Sequence, residues 1–232
     1  SSGIKVNSIT KPEYRIKNHE STAGDYSFGC KDKKTDKKSE IRMKTVGDMW
    51  GTGMFKANAC DFCDDVTTEL ADISLGDAWM SPYMFDGKGT NVIVSRSNTS
   101  EKLINNGIEK GELFIENLNK EKFIFSQKGS FNHRQLGLPY RIKKAQINKL
   151  LVPPKRVEIT RTSIDLKLVQ FFRMKVRAKS FKAWKKSKNA VQFNQEMSLI
   201  LFVLKKVTKI NHYKRTILSK DFIKAIKRKL KN

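Results

Sequence analysis

Apolar and polar residues alternate loosely from Ile4 to Ile16, with Ile4, Val6, Ile9, Tyr14 and Ile16 as the apolar members. That near-period of two predicts one or two short strands. Asp72 to Leu75, running into Gly76-Asp77, predicts a short strand that ends in a turn. The β-branched run Asn91 to Ser95 predicts a buried strand. Ser100 to Glu109 predicts a helix: Ser100 is the expected N-cap, Glu101 complements the positive N-terminus, and Leu103, Ile104 and Ile108 share a face. Glu112 to Glu116 and Phe123 to Ser126 are two more strand candidates. Lys31 to Lys38 is a charged, turn-prone loop, and Gly47 to Gly53 a glycine-rich loop around Trp50. Strand, helix, strand order predicts an α+β (mixed α/β) fold, a small mixed sheet with flanking helices.

The period changes toward the C-terminus. Ile164, Leu168, Phe171, Phe172 and Val176 recur at helical spacing, with Lys167, Arg173, Lys175 and Arg177 between them. Phe222, Ile223, Ile226 and Leu230 repeat the pattern in a last helix. The longest apolar run, Met197 to Leu204, is far short of the roughly 20 residues that a membrane-spanning helix needs. No signal-peptide pattern opens the chain, so the expected location is the cytoplasm. The start, Ser1-Ser2-Gly3 without an initiator Met and close to a strand pattern, leads us to expect natural sequence upstream.

Charge divides the chain. Residues 1–140 carry 20 basic and 19 acidic side chains, and residues 141–232 carry 27 and 4, which accounts for nearly all of the net +24. Pro153-Pro154 interrupts regular structure near the break. Two regions are expected: 1–150, nearly neutral, and 151–232, basic and mainly helical. At 38% hydrophobic residues the chain can form a core, which excludes wholesale disorder, and three Cys exclude a disulfide-rich scaffold. The basic stretch 160–232, with Phe181, Trp184 and Phe193, suits an anionic membrane surface, and hence a membrane-peripheral location. A solvated basic helical face is the plainer reading. No helix-turn-helix, finger or RNA-binding signature is present, so nucleic acid is not the expected partner.

Cys60-Asp61-Phe62-Cys63 is the sharpest chemical signal. Two sulfurs three positions apart can reach one metal, one cluster, or each other. Iron–sulfur, zinc and a redox disulfide all remain open on spacing alone. Between Lys56 and Lys88 there is no Lys or Arg, while Asp61, Asp64, Asp65, Glu69, Asp72, Asp77 and Asp86 fall there. That is the wrong sign of field for a thioredoxin-type thiolate. The turn clusters at Gly76-Asp77 and at Gly89-Thr90-Asn91 could bring backbone N–H groups to a phosphate, or serve as ordinary strand ends. Arg96 could pair with a phosphate or a flavin edge. His133-Arg134, after the polar loop Ser126 to Gly129, reads as a surface pair.

Ala59 to Trp79, ACDFCDDVTTELADISLGDAW, closely resembles the C-terminal domain of the coenzyme-factor-420 (deazaflavin) hydrogenase/dehydrogenase beta-subunit family. Gly89 to Arg96, Ser126 to Arg134 and Pro154 to Arg156 resemble further segments of it, and the resemblance extends roughly over residues 4–185. It implies a flavin- and iron–sulfur-dependent oxidoreductase that passes electrons between a 4Fe-4S cluster, FAD and an acceptor. A redox partner such as a ferredoxin or another subunit is implied with it. Cys60 and Cys63 match the family's cluster ligands; Gly76, Asp77, Gly89, Thr90, Asn91 and Arg96 fall in its cofactor region. A 4Fe-4S cluster takes four thiolates, and with Cys30 this chain has three. The family's N-terminal half and its cysteines are missing from the sequence. The expectation is a fragment of an enzyme, or a chain completed by another subunit. The rival expectation is a cofactor-free basic binding module or a structural zinc site.

Overall fold

A computed structural model describes residues 6–46, 49–155 and 161–217. The fold is α+β, as the alternation of patterns predicts. The chain forms two compact units, each assembled from two separate stretches. The first contains residues 1–48 and 65–132, the second 49–64 and 133–232. The predicted charge break near residue 150 therefore lies within the second unit.

In the first unit, β1 (Ile9–Lys17), β2 (Tyr26–Asp32) and β3 (Lys38–Arg42) form an antiparallel meander. The expected charged loop is the turn between β2 and β3. β2 is the central strand and the most buried, with Cys30 at 2% exposure. A four-residue helical turn, α1 (Met43–Val46), follows. In the second unit's first stretch lies another helical turn, α2 (Met49–Thr52), where the sequence reads as a loop; Gly47 and Asp48 are outside the described residues.

The first unit continues with β4 (Ile73–Asp77) and β5 (Asn91–Ser95), an antiparallel pair in register from Ile73↔Ser95 to Asp77↔Asn91. The strands thus form two separate antiparallel sheets rather than one mixed sheet. α3 (Asn98–Glu109) starts about one turn earlier than its predicted cap. Ser97 is the N-cap and Ser100 the third helical residue, and each side chain bonds the other's backbone N–H.

Both later strand candidates are otherwise employed. Glu112 and Leu113 donate their N–H groups back to the Gly107 carbonyl, and Gly111, at φ +70°, makes the left-handed turn that ends α3. Phe123–Ser126 belongs to α4 (Lys120–Ser126), which Asn119 caps by accepting from the Lys122 N–H. A three-residue apolar run carries no period of its own, so the cap decides. α5 (Lys128–Phe131) and a π-helical stretch, Asn132–Leu136, follow.

The second unit is helical: α6 (Leu138–Ile147), α7 (Ile164–Lys186) and α8 (Ala190–Ile217). α7 and α8 pack on Val176, Ala183, Phe193, Met197 and Leu204, and Met54 joins them from the first stretch. Phe55 stacks on Phe193 at 5.5 Å and meets Phe181 and Trp184 edge-on. Its N–H donates to Ser180 Oγ at 2.9 Å. These contacts tie residues 49–64 to α7 and α8. The expected helix at Phe222–Leu230 and the expected family segment's Arg156 lie outside the described residues.

Candidate functional site

Cys60 and Cys63 belong to the second unit, on and just beyond a 3-10 turn at Asn58–Asp61. Cys60 is exposed and Cys63 half-buried. Cys60 N–H and Phe62 N–H donate to the Ala57 and Ala59 carbonyls, which fixes the turn locally. Arg134 Nη1 donates to Cys63 Sγ at 2.8 Å. Lys155 Nζ donates to the Phe62 carbonyl.

Behind the turn, Arg141 is 1% exposed. Its Nε donates to the Asp61 carbonyl at 2.6 Å, its Nη1 to Gln170 Oε1 at 2.6 Å, and its Nη2 to the His133 carbonyl at 2.9 Å. One guanidinium thus fastens the cysteine turn to α7 and to His133. The Asp61 carboxylate, also buried, meets Lys56 Nζ at 3.2 Å and Arg177 Nη1 at 2.6 Å. Lys56 Nζ lies 2.6 Å from His133 Nε2, and Arg173 Nη1 3.2 Å from His133 Nδ1.

Burial, then Arg141, Lys56, Arg173 and Arg134, push the His133 pKa down to about 2. Burial also lowers Lys56, against the opposing pull of Asp61, and brings Arg141 down to about 10. A neutral imidazole has one acceptor nitrogen. Lys56 and Arg173 are both donors, so the neutral ring accepts from one of them and not from both. His133 is therefore a half-buried, neutral group held between Lys56 and Arg173, and the surface-pair expectation is corrected.

Cys63 takes a hydrogen bond from a guanidinium, although its sequence neighbours are acidic. Lys56, Arg141, Arg173 and Arg177 are not among the site residues expected from the sequence. The one available signal is an Arg at position 141 among Leu138, Ile142 and Ala145, all on the buried side of α6.

The glycine clusters belong to the first unit. The ladder brings Gly76, Asp77, Thr90 and Asn91 to one end of β4–β5: Gly76 is opposite Val92, Asp77 opposite Asn91, and the Ala78 N–H donates to the Thr90 carbonyl at 2.9 Å. Gly89 enters that end with φ +78°, in the left-handed region that glycine tolerates. Arg15 binds the Asp77 carboxylate at 3.2 Å, and Gln127 Nε2 donates to the Asp77 carbonyl at 2.8 Å. Arg96 follows the opposite end of the ladder, about 14 Å away at strand rise. It donates to the Ala71 and Thr67 carbonyls and to Ser74 Oγ, bracing the chain that leads into β4.

The sequence profile of a family, the C terminus of the beta subunit of coenzyme F420 hydrogenase/dehydrogenase, matches residues 1–121. The chain belongs to this family. The match contains the cysteine pair, both glycine clusters and Arg96, and it ends before His133, Arg134, Arg141, Arg173 and Arg177. No curated protein and no solved structure matches the chain. The family is redox-related.

The cluster and flavin expected from the sequence both make demands on the residues present. The thiol turn offers two sulfurs, half of a four-thiolate set. Among the described residues no group of three or more His, Cys, Asp or Glu side chains gathers as a metal site. The described residues therefore do not complete a cluster site by themselves. Beside the ladder, the cleft lined by Gly76, Ser74, Val92 and Gln127 has a volume of about 30 Å³. That is room for a water, far below the several hundred Å³ of a cofactor pocket.

Proposed function

We propose that this chain supplies part of a flavin- and iron–sulfur-dependent oxidoreductase. In this reading Cys60 and Cys63 contribute two thiolates to a 4Fe-4S cluster whose other ligands come from outside these 232 residues. When bound, such a cluster and FAD would supply one- and two-electron transfer to an acceptor. Gly76, Asp77, Gly89, Thr90 and Asn91 would line FAD only in a pocket completed by residues outside these 232, since the cleft beside them has room for a water, and Arg96 braces the chain that leads into the strand carrying the first two. A ferredoxin-like protein or another subunit would be the electron-transfer partner.

The observation that carries this reading is the C-x-x-C turn set against a cluster of basic side chains, in a chain of a redox family. What the chain's own residues do follows from that geometry. Arg141 and Lys155 hold the turn by its carbonyls. Arg134 supplies a positive donor to Cys63, and Asp61 offsets Arg177 and accepts from Lys56. Neutral His133 separates Lys56 from Arg173 without adding charge.

The test is the visible spectrum and metal content of the protein purified anaerobically together with the polypeptides that co-purify with it. The reading predicts flavin bands over a broad iron–sulfur absorption. A colourless preparation, or one holding zinc alone, would overturn it and leave the structural zinc site standing.

A further inference from the structure

α8 carries two apolar faces. The inner one, Phe193, Met197, Leu204 and buried Asn211, packs toward α7. On the opposite side Leu199, Phe202, Ile210, Tyr213 and Ile217 recur every three to four residues or a multiple of that, each 53% to 72% exposed. The stripe runs along about 27 Å of helix. A helix on a protein surface ordinarily shows one apolar stripe, so a second one lying opposite the core marks a face that covers something.

The flanks indicate what. From Met197 to Ile217 the helix carries Lys205, Lys206, Lys209, Lys214 and Arg215 and no acidic residue. Lys205 and Lys209 lie on one side of the stripe and Lys214 on the other. Lys206 Nζ sits 5.3 Å from the centre of the Phe202 ring, and Lys209 Nζ 5.5 Å from that of Tyr213. Lys206, four residues from both Phe202 and Ile210, lies within the stripe and Lys209 at its edge; each can run its apolar stem along the face and lift its charged head to the headgroups. A second copy of this chain would bring a face equally basic and free of acidic residues against this one. The stripe is also a convex ridge, which a bilayer accepts without a matching groove. α8 cannot cross a membrane: no described helix is long and apolar enough. The aromatic trio that the sequence suggests for a lipid surface is not this face, since Phe181, Trp184 and Phe193 gather round Phe55.

We propose that the outer face of α8 lies in the plane of an anionic lipid surface, with Leu199, Phe202, Ile210, Tyr213 and Ile217 entering the headgroup–acyl boundary and the flanking Lys residues at the phosphates. This inference is independent of the redox reading and survives its failure.

The test is co-sedimentation of the full chain with vesicles of phosphatidylglycerol and phosphatidylcholine, or of phosphatidylcholine alone, from low salt to about 0.5 M. Retention on the anionic vesicles only, falling with salt, is expected. The double variant Phe202→Ser/Ile210→Ser should bind at least about tenfold more weakly at low salt while keeping the wild-type far-UV circular dichroism, because both positions face solvent. Lys205→Gln/Lys209→Gln should shift the loss to lower salt. Equal retention on neutral vesicles, wild-type binding by the serine variant, or no retention on any vesicle would overturn the proposal. So would capture by an acidic protein in the absence of vesicle binding, which would assign the stripe to a protein partner.

Discussion

Around Cys60 and Cys63, position is set by long buried side chains that reach backbone carbonyls from other elements, Arg141 above all. Around Gly76 and Gly89 it is set by backbone pairing, and the side chains there are small or exposed. The two regions should therefore fail differently. A corner held by one guanidinium is lost by truncating one residue. A strand end held by its ladder tolerates side-chain changes and fails where a Cβ is added.

The largest effect is expected at Arg141. Arg141→Met leaves two carbonyls and the Gln170 amide oxygen without their donor, at a cost of about 3–5 kcal/mol. Urea unfolding would measure it, and a loss below about 1 kcal/mol would mean that the corner is not held as described.

Next comes the glycine-dependent side. A Cβ on Gly87 would stand 2.1 Å from the Asn18 carbonyl oxygen, so Gly87→Ala should destabilise by about 2–3 kcal/mol. Gly89→Ala, at φ +78°, should cost about 1–2 kcal/mol. If neither substitution shifts the thermal midpoint, the strand end is not backbone-limited.

The third test uses pH. His133 stays neutral in the folded chain, its pKa down to about 2, against 6.5 in the unfolded chain. The unfolded state thus binds the extra proton. The stability linked to His133 is complete above about pH 6.5 and is lost as pH falls below it, by about 1 kcal/mol per unit. The lowered carboxylates Asp25, Asp32, Asp36 and Asp165 lose theirs in a lower window, below about pH 4. Unfolding free energies at about pH 7.5 and about pH 5 should differ, and His133→Gln should flatten that difference. An unchanged slope in the variant would place the titration elsewhere.

The smallest effect separates the regions again. Arg15→Ala removes a partly exposed ion pair with Asp77 and should cost less than about 1 kcal/mol. A larger loss would show that the strand end also depends on charge.

Much of this was legible in the residues. Period two and β-branching located β1, β4 and β5, helical spacing located α7, and Ala59 to Trp79 pointed to the family. Other features needed tertiary information. Phe123–Ser126 is apolar but too short to declare a period, and Asn119 makes it helical. Ser97 rather than Ser100 caps α3 because two serines three apart can close a capping box from the earlier position. The basic cluster was hidden because its members come from positions 56 to 177, and each looks like one more base in a lysine-rich chain. Nothing local marks His133 as a partner of Lys56 and Arg173, and only its apolar neighbours on α6 hint that Arg141 is buried. The glycine clusters were legible as turns, and the ladder brings all but Arg96 to one end.

The redox reading rests on the thiol turn as an iron–sulfur ligand pair, and the most direct measurement is anaerobic reconstitution of the full chain with ferrous iron and sulfide in excess small thiol. The small thiol can supply the sulfur ligands that this chain lacks. Bound iron and sulfide with visible absorption are expected, both lost in Cys60→Ser and in Cys63→Ser and retained in Cys30→Ser. Iron binding that survives both substitutions, or none in the wild type, would contradict it.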